Sequence, residues 1–362
     1  MLLESLRVEG YRSLTSARVD VGAITVLTGP NGSGKTNVYR ALRLAHRAAT
    51  GDLARTVAAE GGMSSISFAG RTRGEPKVVI AAGLDGVVYE LELVTASRGA
   101  PDDAAYAFPL DPVIRSERIL LPIEGRRTPV ALLDRTGNAA FVRDDDGAQE
   151  KVPMTFHASE SVLTQLRDAH RYPELDRVRA ILASMRFHDQ LRTDELAPVR
   201  RASLGTRTTA VADDGADLAA ALRTILVDGE RDRLALAVER SLDAELEIDE
   251  LDDGRLDVAL RIRPFRRPLG AAELSDGQLR FLFLAAALLA PRPATVVVLN
   301  EPEASLHGDL LPGVADLISS ASELTQVVVT THSEQLASEL ERAGAVSWQL
   351  ERTMGSTDVI RA

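Results

Sequence analysis

The chain has 362 residues, of which 45% are hydrophobic and 26% charged, as expected for a globular protein with a sizeable core. The absence of cysteine excludes disulfides, thiolate metal sites and cysteine nucleophiles, and it agrees with a reducing cytoplasm. A formal net charge of −11 argues against nucleic-acid binding driven by overall charge, although it is compatible with a local basic patch.

The N-terminal part is predicted to contain strands and one long helix. Its first residues carry charge every few positions and lack the apolar stretch of a signal peptide, so we expect a cytoplasmic protein with no membrane partner. Apolar residues at 2–8, 17–21 and 23–27 predict three strands, followed by a helix from 35 to about 48. Alternating stretches between 64 and 142 predict antiparallel strands.

The middle of the chain changes to a helical period. Apolar residues between 160 and 240 recur at helical spacing, and 193–214 is predicted to be a polar, arginine-rich loop. We therefore expect three domains, which are a lobe with the glycine loop and antiparallel strands at 1–150, a helical insertion at 151–243, and a second α/β lobe at 244–362.

The C-terminal part is predicted to alternate helices and strands. Stretches 245–248 and 256–262 have strand character, and from 271 onward the predicted order is helix, strand, helix, strand, helix, hairpin. The most apolar run, 281–290, has about half of the roughly 20 residues that a membrane-spanning helix needs. It predicts a buried helix instead.

A glycine-rich segment matches the phosphate-loop pattern G-x-x-x-x-G-K-[ST]. It reads Gly29-Pro-Asn-Gly-Ser-Gly-Lys-Thr36 and lies between a predicted strand and a predicted helix. Its backbone N–H groups and the positive end of the helix are expected to hold phosphates. Lys35 is expected to reach the β- and γ-phosphates, and the Thr36 hydroxyl to bind Mg²⁺. The alternative, a plain glycine-rich turn, is disfavoured by the flanking elements.

A second segment, Glu273-Leu-Ser-Asp-Gly-Gln278, resembles the ABC signature. In that motif, small residues at a helix start bind the γ-phosphate of a nucleotide held by the opposite subunit. Ser275 and Gly277 are therefore candidates for contacts in trans. The alternative is a helix cap in which Ser275 satisfies free N–H groups.

The segment 295–303 is an apolar strand that ends in acids, which is the Walker B arrangement. Glu301 is the expected base that orients the attacking water. Asn300 stands where ABC ATPases have aspartate, so the Mg²⁺ shell is expected to meet a neutral amide and hydrolysis to be slow.

Another buried strand is predicted to end at His332, the expected switch residue that contacts the γ-phosphate. The alternative for this histidine is a polar cap on the strand. The six histidines show no cluster with metal-ligand spacing, so zinc is not expected.

These motifs, in this order and with a long insertion before the signature, resemble the RecF/SMC/OLD-like branch of ABC ATPases. The stretch 6–14 looks like that branch's lead-in, and Gly29 to Asn37 is its usual phosphate loop. The stretches 187–194, 214–222 and 299–303 look like a bacterial group of standalone predicted AAA family ATPases. In that group, asparagine at the position of Asn300 is typical.

The resemblance implies an α/β fold, that of a P-loop NTPase ABC-ATPase head with a mixed sheet core, an antiparallel β subdomain and a helical lid. It implies ATP and Mg²⁺ as cofactors, and a homodimer on ATP binding in which Lys35 of one chain meets Ser275 of the other. The implied catalytic residues are Lys35, Glu301 and His332, and the implied metal residues are Thr36 and Asn300. The implied nucleotide-binding residues are Arg12, Asn31, Gly32, Ser33, Gly34, Lys35, Thr36, Asn37, Ser275, Gly277 and Gln278.

Other functions stay open. Asn300 suggests an ATP-gated switch that turns over slowly and signals to an unknown protein partner. A transporter subunit is disfavoured, because no glutamine is evident for a Q-loop. Members of this branch work in DNA repair, chromosome maintenance and phage defence. DNA is therefore a possible partner by resemblance only. The lid arginines, which would form either a basic surface or a solvated loop, are Arg192, Arg200, Arg201 and Arg207.

Overall fold

The computed structural model describes residues 2–70, 74–95, 108, 110–143, 148–189 and 191–362. In chain order the strands are β1 (Leu3–Tyr11), β2 (Leu14–Asp20), β3 (Ile24–Thr28), β4 (Lys77–Leu84), β5 (Val87–Thr95), β6 (Pro112–Leu121), β7 (Val130–Thr136), β8 (Ala139–Arg143), β9 (Gln149–Lys151), β10 (Arg186–His188), β11 (Ser203–Leu204), β12 (Ala244–Glu250), β13 (Arg255–Ile262), β14 (Leu269–Gly270), β15 (Val296–Asn300), β16 (Gln326–Thr330), β17 (Val346–Thr353) and β18 (Ser356–Arg361). The helices are α1 (Lys35–Thr50), α2 (Leu53–Ala59), α3 (Met63–Ile66), α4 (Val162–Gln165), α5 (Pro173–Ala183), α6 (Leu218–Asp228), α7 (Arg231–Leu242), α8 (Asp276–Leu288), α9 (Leu311–Ala321) and α10 (Glu334–Arg342).

The chain divides into two compact units. Unit 1 consists of Met1–Gly22, Gly29–Met185 and Trp348–Ala362, and unit 2 consists of Ala23–Thr28 and Arg186–Ser347. Each unit therefore contains segments that are distant in sequence. The phosphate loop belongs to unit 1, whereas the strand that precedes it belongs to unit 2.

Unit 1 is built on an antiparallel sheet with the strand order β2-β1-β4-β5-β6-β7-β8-β9. Helix α1 contacts β1, β4 and α5. Its buried apolar residues recur three or four positions apart, which places them on one helix face. The buried members of this face include Val38, Leu42, Ala45 and Ala49. The antiparallel pairing of β4 to β8 confirms the antiparallel strands predicted between 64 and 142.

A fully buried ion pair lies inside unit 1. Glu117 on β6 and Arg135 on β7 approach to 3.3 Å, and both side chains are inaccessible to solvent. The guanidinium also donates to the carbonyls of Glu160 and His157, at 2.6 Å each, and the Tyr89 hydroxyl donates to Glu117 at 2.8 Å. Because a buried charge is tolerated only when it is paired and hydrogen-bonded, this network fixes the segment after β9 against the sheet.

Unit 2 contains a parallel sheet with the order β10-β15-β16-β3 and a smaller antiparallel sheet with the order β11-β13-β12, to which β14 adds by pairing with β13. Helix α8 is buried from Leu279 to Leu288, as predicted for the most apolar run of the chain. Such a helix is apolar on all sides because other elements surround it. Within the part of the chain that the structure describes, no helix is long and apolar enough to cross a membrane.

The described part of 151–243 contains helices at the predicted places and two short strands that were not predicted, β10 and β11, the second of which lies in the predicted polar loop. Its residues up to Met185 belong to unit 1, and those from Arg186 belong to unit 2. That this stretch acts as a lid stays a prediction. The order predicted from 271 onward is present as α8, β15, α9, β16, α10 and the β17–β18 hairpin.

Candidate functional site

The predicted site residues lie in both units. Those of unit 1 are Arg12, Asn31, Gly32, Ser33, Gly34, Lys35, Thr36 and Asn37. Those of unit 2 are Ser275, Gly277, Gln278, Asn300, Glu301 and His332.

The glycine loop has the backbone that a phosphate site needs. Gly29 and Gly34 have φ angles of 143° and 109°, and helix α1 begins directly after the loop at Lys35. A Cβ atom on Gly29 would lie 2.3 Å from the carbonyl oxygen of Leu350, so no larger residue fits there. The Lys35 ammonium donates to the carbonyls of Gly29 at 2.6 Å and Pro30 at 3.2 Å, which folds its side chain over the loop. A loop of this shape at a helix N-terminus fits a phosphate group.

The C-terminal strand β18 supports the loop. The Thr357 hydroxyl donates to the carbonyl of Ser33 at 2.7 Å and lies 2.7 Å from the Ser13 hydroxyl. The Asn37 amide donates to Ser13 at 2.9 Å, which extends the network to the first turn of α1. A Cβ atom on Gly34 would lie 2.3 Å from the Thr357 hydroxyl oxygen. The sequence analysis did not identify Thr357, because no motif marks a residue that meets the loop from the other end of the chain.

Arg12 lies in the turn between β1 and β2 with a φ of 50°. Its guanidinium donates to Glu60 at 2.8 Å, and the Tyr11 hydroxyl donates to the same carboxylate oxygen at 2.6 Å. Burial raises the pKa of Tyr11, and the neighbouring Glu60 raises it further, so this phenol remains a hydrogen-bond donor. The nucleotide contact expected for Arg12 stays a prediction.

In unit 2, Asn300 ends β15 and is held by two hydrogen bonds. Its Oδ1 accepts from the Thr330 hydroxyl at 2.7 Å, and its Nδ2 donates to Oδ1 of Asp189 at 2.9 Å. Glu301 follows with a φ of 49°, and its N–H donates to the carbonyl of Thr330 at 2.9 Å. Asp189 was not among the predicted site residues, although it lies in one of the stretches on which the resemblance rests. Gln190, from the same stretch, lies outside the described residues.

A second acid, Glu303, holds the segment after β16. Its Oε1 accepts from the Thr331 hydroxyl at 2.6 Å and from the His332 N–H at 2.9 Å, and it lies 3.1 Å from Nδ1 of His332. Nδ1 also lies 3.7 Å from Oε1 of Glu301. The predicted base and the predicted switch histidine are therefore neighbours, and the buried Glu303, from the same loop as Glu301, contacts the loop that carries His332.

Arg280 connects α8 with the loop after β15. Its guanidinium donates to the carbonyls of Glu301 at 3.0 Å and Pro302 at 3.3 Å, and only 2% of the residue is exposed. Burial lowers the pKa of Arg280, whereas the carboxylates of Glu303, Asp189 and Glu301 oppose that shift. A guanidinium remains charged under such conditions, so Arg280 brings a buried positive charge to this edge.

The signature segment forms the start of α8. The Ser275 hydroxyl accepts from the N–H of Gln278 at 3.2 Å, and the Gln278 side chain accepts from the N–H of Ser275 at 2.9 Å. This capping box satisfies helix donors, as the alternative interpretation of Ser275 expected, yet Ser275 is also exposed. Arg200 reaches the segment from before β11 by donating to the carbonyl of Leu274 at 2.7 Å and to Asp276 at 2.6 Å.

Three of the four arginines that could form a basic surface in 193–214 or beside it are paired with acids. Arg192 pairs with Asp194, Arg200 with Asp276 and Arg207 with Asp228, at 2.5 to 2.9 Å. Among the described residues, no group of three or more histidines and acids has the geometry of a metal site. The metal roles expected for Thr36 and Asn300 stay predictions.

Comparisons with known proteins agree with this architecture. The family model described as "AAA domain, putative AbiEii toxin, Type IV TA system" matches residues 24–338. The chain is similar to an SMC head bound to the C-winged helix domain of ScpA, with 17% identity, a TM-score of 0.57, and coverage of 100% of this chain and 98% of that one. A search of curated proteins found no match.

Two further solved structures are similar. One is an SMC head domain with an extended coiled coil from Pyrococcus furiosus, bound to the C-terminal domain of ScpA, with 14% identity, a TM-score of 0.58, and coverage of 100% and 96%. The other is an SMC head domain with a coiled coil and joint from Pyrococcus yayanosii, with 11% identity, a TM-score of 0.54, and coverage of 99% and 97%. These likenesses confirm the predicted fold class, the α/β fold of a P-loop NTPase head.

The support of the glycine loop by β18 leads to a first prediction. Thr357→Val removes the hydroxyl that forms hydrogen bonds with Ser33 and Ser13, and we expect ATP binding to weaken by up to about thirtyfold, since the two lost bonds are together worth about 2 kcal/mol. Titration of a fluorescent ATP analogue measures this. Thr353→Val, on the same hairpin but exposed, is the matched control. Equal affinities in the two variants would show that the loop keeps its shape without β18.

The contacts of Arg280 lead to a second prediction. Arg280→Met leaves the Glu301 and Pro302 carbonyls without their donor, so Glu301 shifts and ATP turnover falls about 100-fold, while ATP affinity stays within about threefold. Arg280→Lys should recover part of the turnover. Arg233→Met, which removes an exposed pair with Glu323, is the control and should leave turnover unchanged. Equal losses of kcat and affinity, or unfolding seen by circular dichroism, would contradict a positioning role.

Proposed function

The chain belongs to the AAA-domain family whose model it matches, and we propose that it is an ATPase that hydrolyses ATP bound as the magnesium complex. The observation that carries the proposal is the complete phosphate loop, with Lys35 folded over it at the start of α1. The residues after β15 and β16 support the hydrolytic step, because Glu301 and His332 lie next to each other.

In this proposal, the loop N–H groups and Lys35 hold the phosphates, and the Thr36 hydroxyl meets the cation. Glu301 accepts a hydrogen bond from the attacking water and orients it towards the γ-phosphate. Its side chain is 22% exposed, which leaves room for a water molecule to approach. His332, held by Glu303, stabilises charge on the γ-phosphate.

We further propose that ATP closes two subunits on each other. Ser275 is exposed at the N-terminus of α8, where helix N–H groups favour a negatively charged ligand. In a dimer, Ser275 and Gly277 of one chain would contact the γ-phosphate held by Lys35 of the other. Hydrolysis would remove that phosphate and release the dimer.

The test is steady-state ATP hydrolysis with Mg²⁺, comparing wild type with Glu301→Gln, while light scattering measures mass in the same samples. We expect turnover to fall at least about 100-fold in the variant, because the water loses its base, and ATP to trap dimers. Glu323→Gln, an exposed acid in the same unit, should behave as wild type. A Glu301→Gln protein that binds ATP but stays monomeric would contradict the dimer. Full turnover in that variant would contradict the assigned base.

A second candidate function is the ATP-gated switch, which Asn300 favours because its amide carries no charge. In that case, the wild type would bind ATP tightly, change its mass or its affinity for a partner protein, and release little phosphate. The hydrolysis assay separates the two functions directly.

A nucleic-acid role, as in repair, chromosome maintenance or phage defence, has support from one feature of unit 1. A pocket of about 560 Å³ between α1, α2 and the β1–β2 turn contains five arginines and two acids. The excess of positive charge suits a sugar–phosphate backbone, although the whole chain is acidic. The arginines are Arg12, Arg40, Arg43, Arg47 and Arg55, and the acids are Asp52 and Glu60.

If DNA binds in this pocket, Arg40→Ala combined with Arg55→Ala should weaken binding of a short duplex about tenfold or more at low salt and make it less dependent on salt concentration. Fluorescence anisotropy over a range of salt concentrations measures both effects. Arg192→Ala combined with Arg207→Ala removes the same charge from arginines that are paired with acids. Similar affinities for both double variants would argue against the pocket.

A further inference from the structure

The strand β10 places an acid beside the end of the Walker B strand β15. The two strands are parallel, with His188 opposite Leu299. The residues that follow these two, Asp189 and Asn300, therefore lie side by side at the same edge of the sheet. The link between them is direct, because Nδ2 of Asn300 donates to Oδ1 of Asp189 at 2.9 Å. Asp189 is exposed, whereas Asn300 is 8% exposed.

The orientation of the Asn300 amide is set from the other side by Thr330. The Thr330 hydroxyl accepts a hydrogen bond from the Glu301 N–H at 3.3 Å and donates its own proton to Oδ1 of Asn300 at 2.7 Å. With Oδ1 committed as an acceptor, Nδ2 must face Asp189. The amide therefore presents a donor to the neighbouring carboxylate.

An aspartate at position 300 would not suit this surrounding. It would keep the bond from Thr330, but its second oxygen would face the Asp189 carboxylate at about the present donor–acceptor distance, and two carboxylates that close repel each other. Asparagine is thus the residue that fits when position 189 is an acid. The edge of the sheet therefore keeps a negative charge, which belongs to Asp189 after the neighbouring strand β10.

Three acids lie near the buried guanidinium of Arg280, which are Glu303, Asp189 and Glu301. Glu303 binds the His332 segment, and Glu301 is the proposed base. Asp189 is the exposed carboxylate next to the Walker B position.

We propose that Asp189 supplies the Walker B carboxylate function in this chain, by accepting hydrogen bonds from the water shell of the magnesium ion that accompanies ATP, and that Asn300 positions it. The inference rests on the proposed ATPase function and names the residue that carries its metal dependence. An anionic oxygen is the partner that Mg²⁺ and its bound water prefer, and an amide replaces it poorly.

The test measures nucleotide binding against metal concentration in the full chain, so that it does not rely on turnover. Four proteins are compared, which are the wild type, Asp189→Asn, Asn300→Asp, and the double variant that exchanges the two residues. Binding of a fluorescent ATP analogue is titrated in EDTA and at increasing Mg²⁺, and electron paramagnetic resonance follows Mn²⁺ in the presence of ATP.

For Asp189→Asn we expect unchanged binding in EDTA and a rise of about tenfold or more in the metal concentration that gives half of the metal-dependent effect, the size typical of lost outer-shell partners. The exchanged variant should return to within about threefold of wild type, because it restores one acid and one amide. Asn300→Asp alone should lower the melting temperature, because it places two acids together. Asp194→Asn, an exposed acid shortly after β10, is the control and should match wild type.

The outcomes separate the inference from the function on which it rests. A wild type that binds no nucleotide in any condition would overturn the ATPase proposal and this inference with it. A wild type that binds ATP with a clear metal dependence, beside an Asp189→Asn variant with the same dependence, would overturn only the role of Asp189. Loss of metal dependence that the exchanged variant does not restore would also overturn it, since Asp189 would then act through local structure.

Discussion

The hydrogen-bonded register of the parallel strands β10, β15 and β16 decides which side chains meet at the edge of the sheet in unit 2. His188 is opposite Leu299, and Asn300 is opposite Thr330, so the row Asp189, Asn300 and Thr330 follows from backbone pairing alone. Because side chains alternate between faces along a strand, a slip of one residue would break this row. The chemistry of the candidate site therefore depends on a ladder of backbone hydrogen bonds.

Buried charges hold the loops that leave this edge. Glu301 has a left-handed backbone, which costs a non-glycine residue about 1 kcal/mol or more, so other contacts must stabilise it. Arg280 supplies two of them through carbonyl oxygens, and Glu303 secures the opposite loop through Thr331 and His332. Each of these ionic groups would be costly to bury without the others, and this mutual dependence leaves the loops few alternative conformations.

The sequence predicted what is local, and it missed what depends on strand order. The phosphate loop, the apolar strand before Glu301 and the apolar helix α8 are each encoded in continuous segments, so their places and most strand positions could be predicted. Asp189 and Asn300 are separated by 111 positions, and their contact follows only once β10 is known to lie beside β15. A strand of three residues inside a helical stretch has too short a pattern to be recognised.

The same limit explains why the sequence shows Asn300 only as a neutral residue at an acidic motif position, whereas the structure places the carboxylate of Asp189 beside it. A motif describes a residue by its neighbours along the chain, whereas the electrostatic environment of a cation depends on all groups within a few ångströms, whichever strand carries them. The phosphate loop has the same property, because the Thr357 hydroxyl donates to the carbonyl of Ser33, although the two residues are 324 positions apart in the sequence. In a parallel sheet, a charge that is absent from the end of one strand can be supplied from the end of the neighbouring strand, because both ends lie at the same edge.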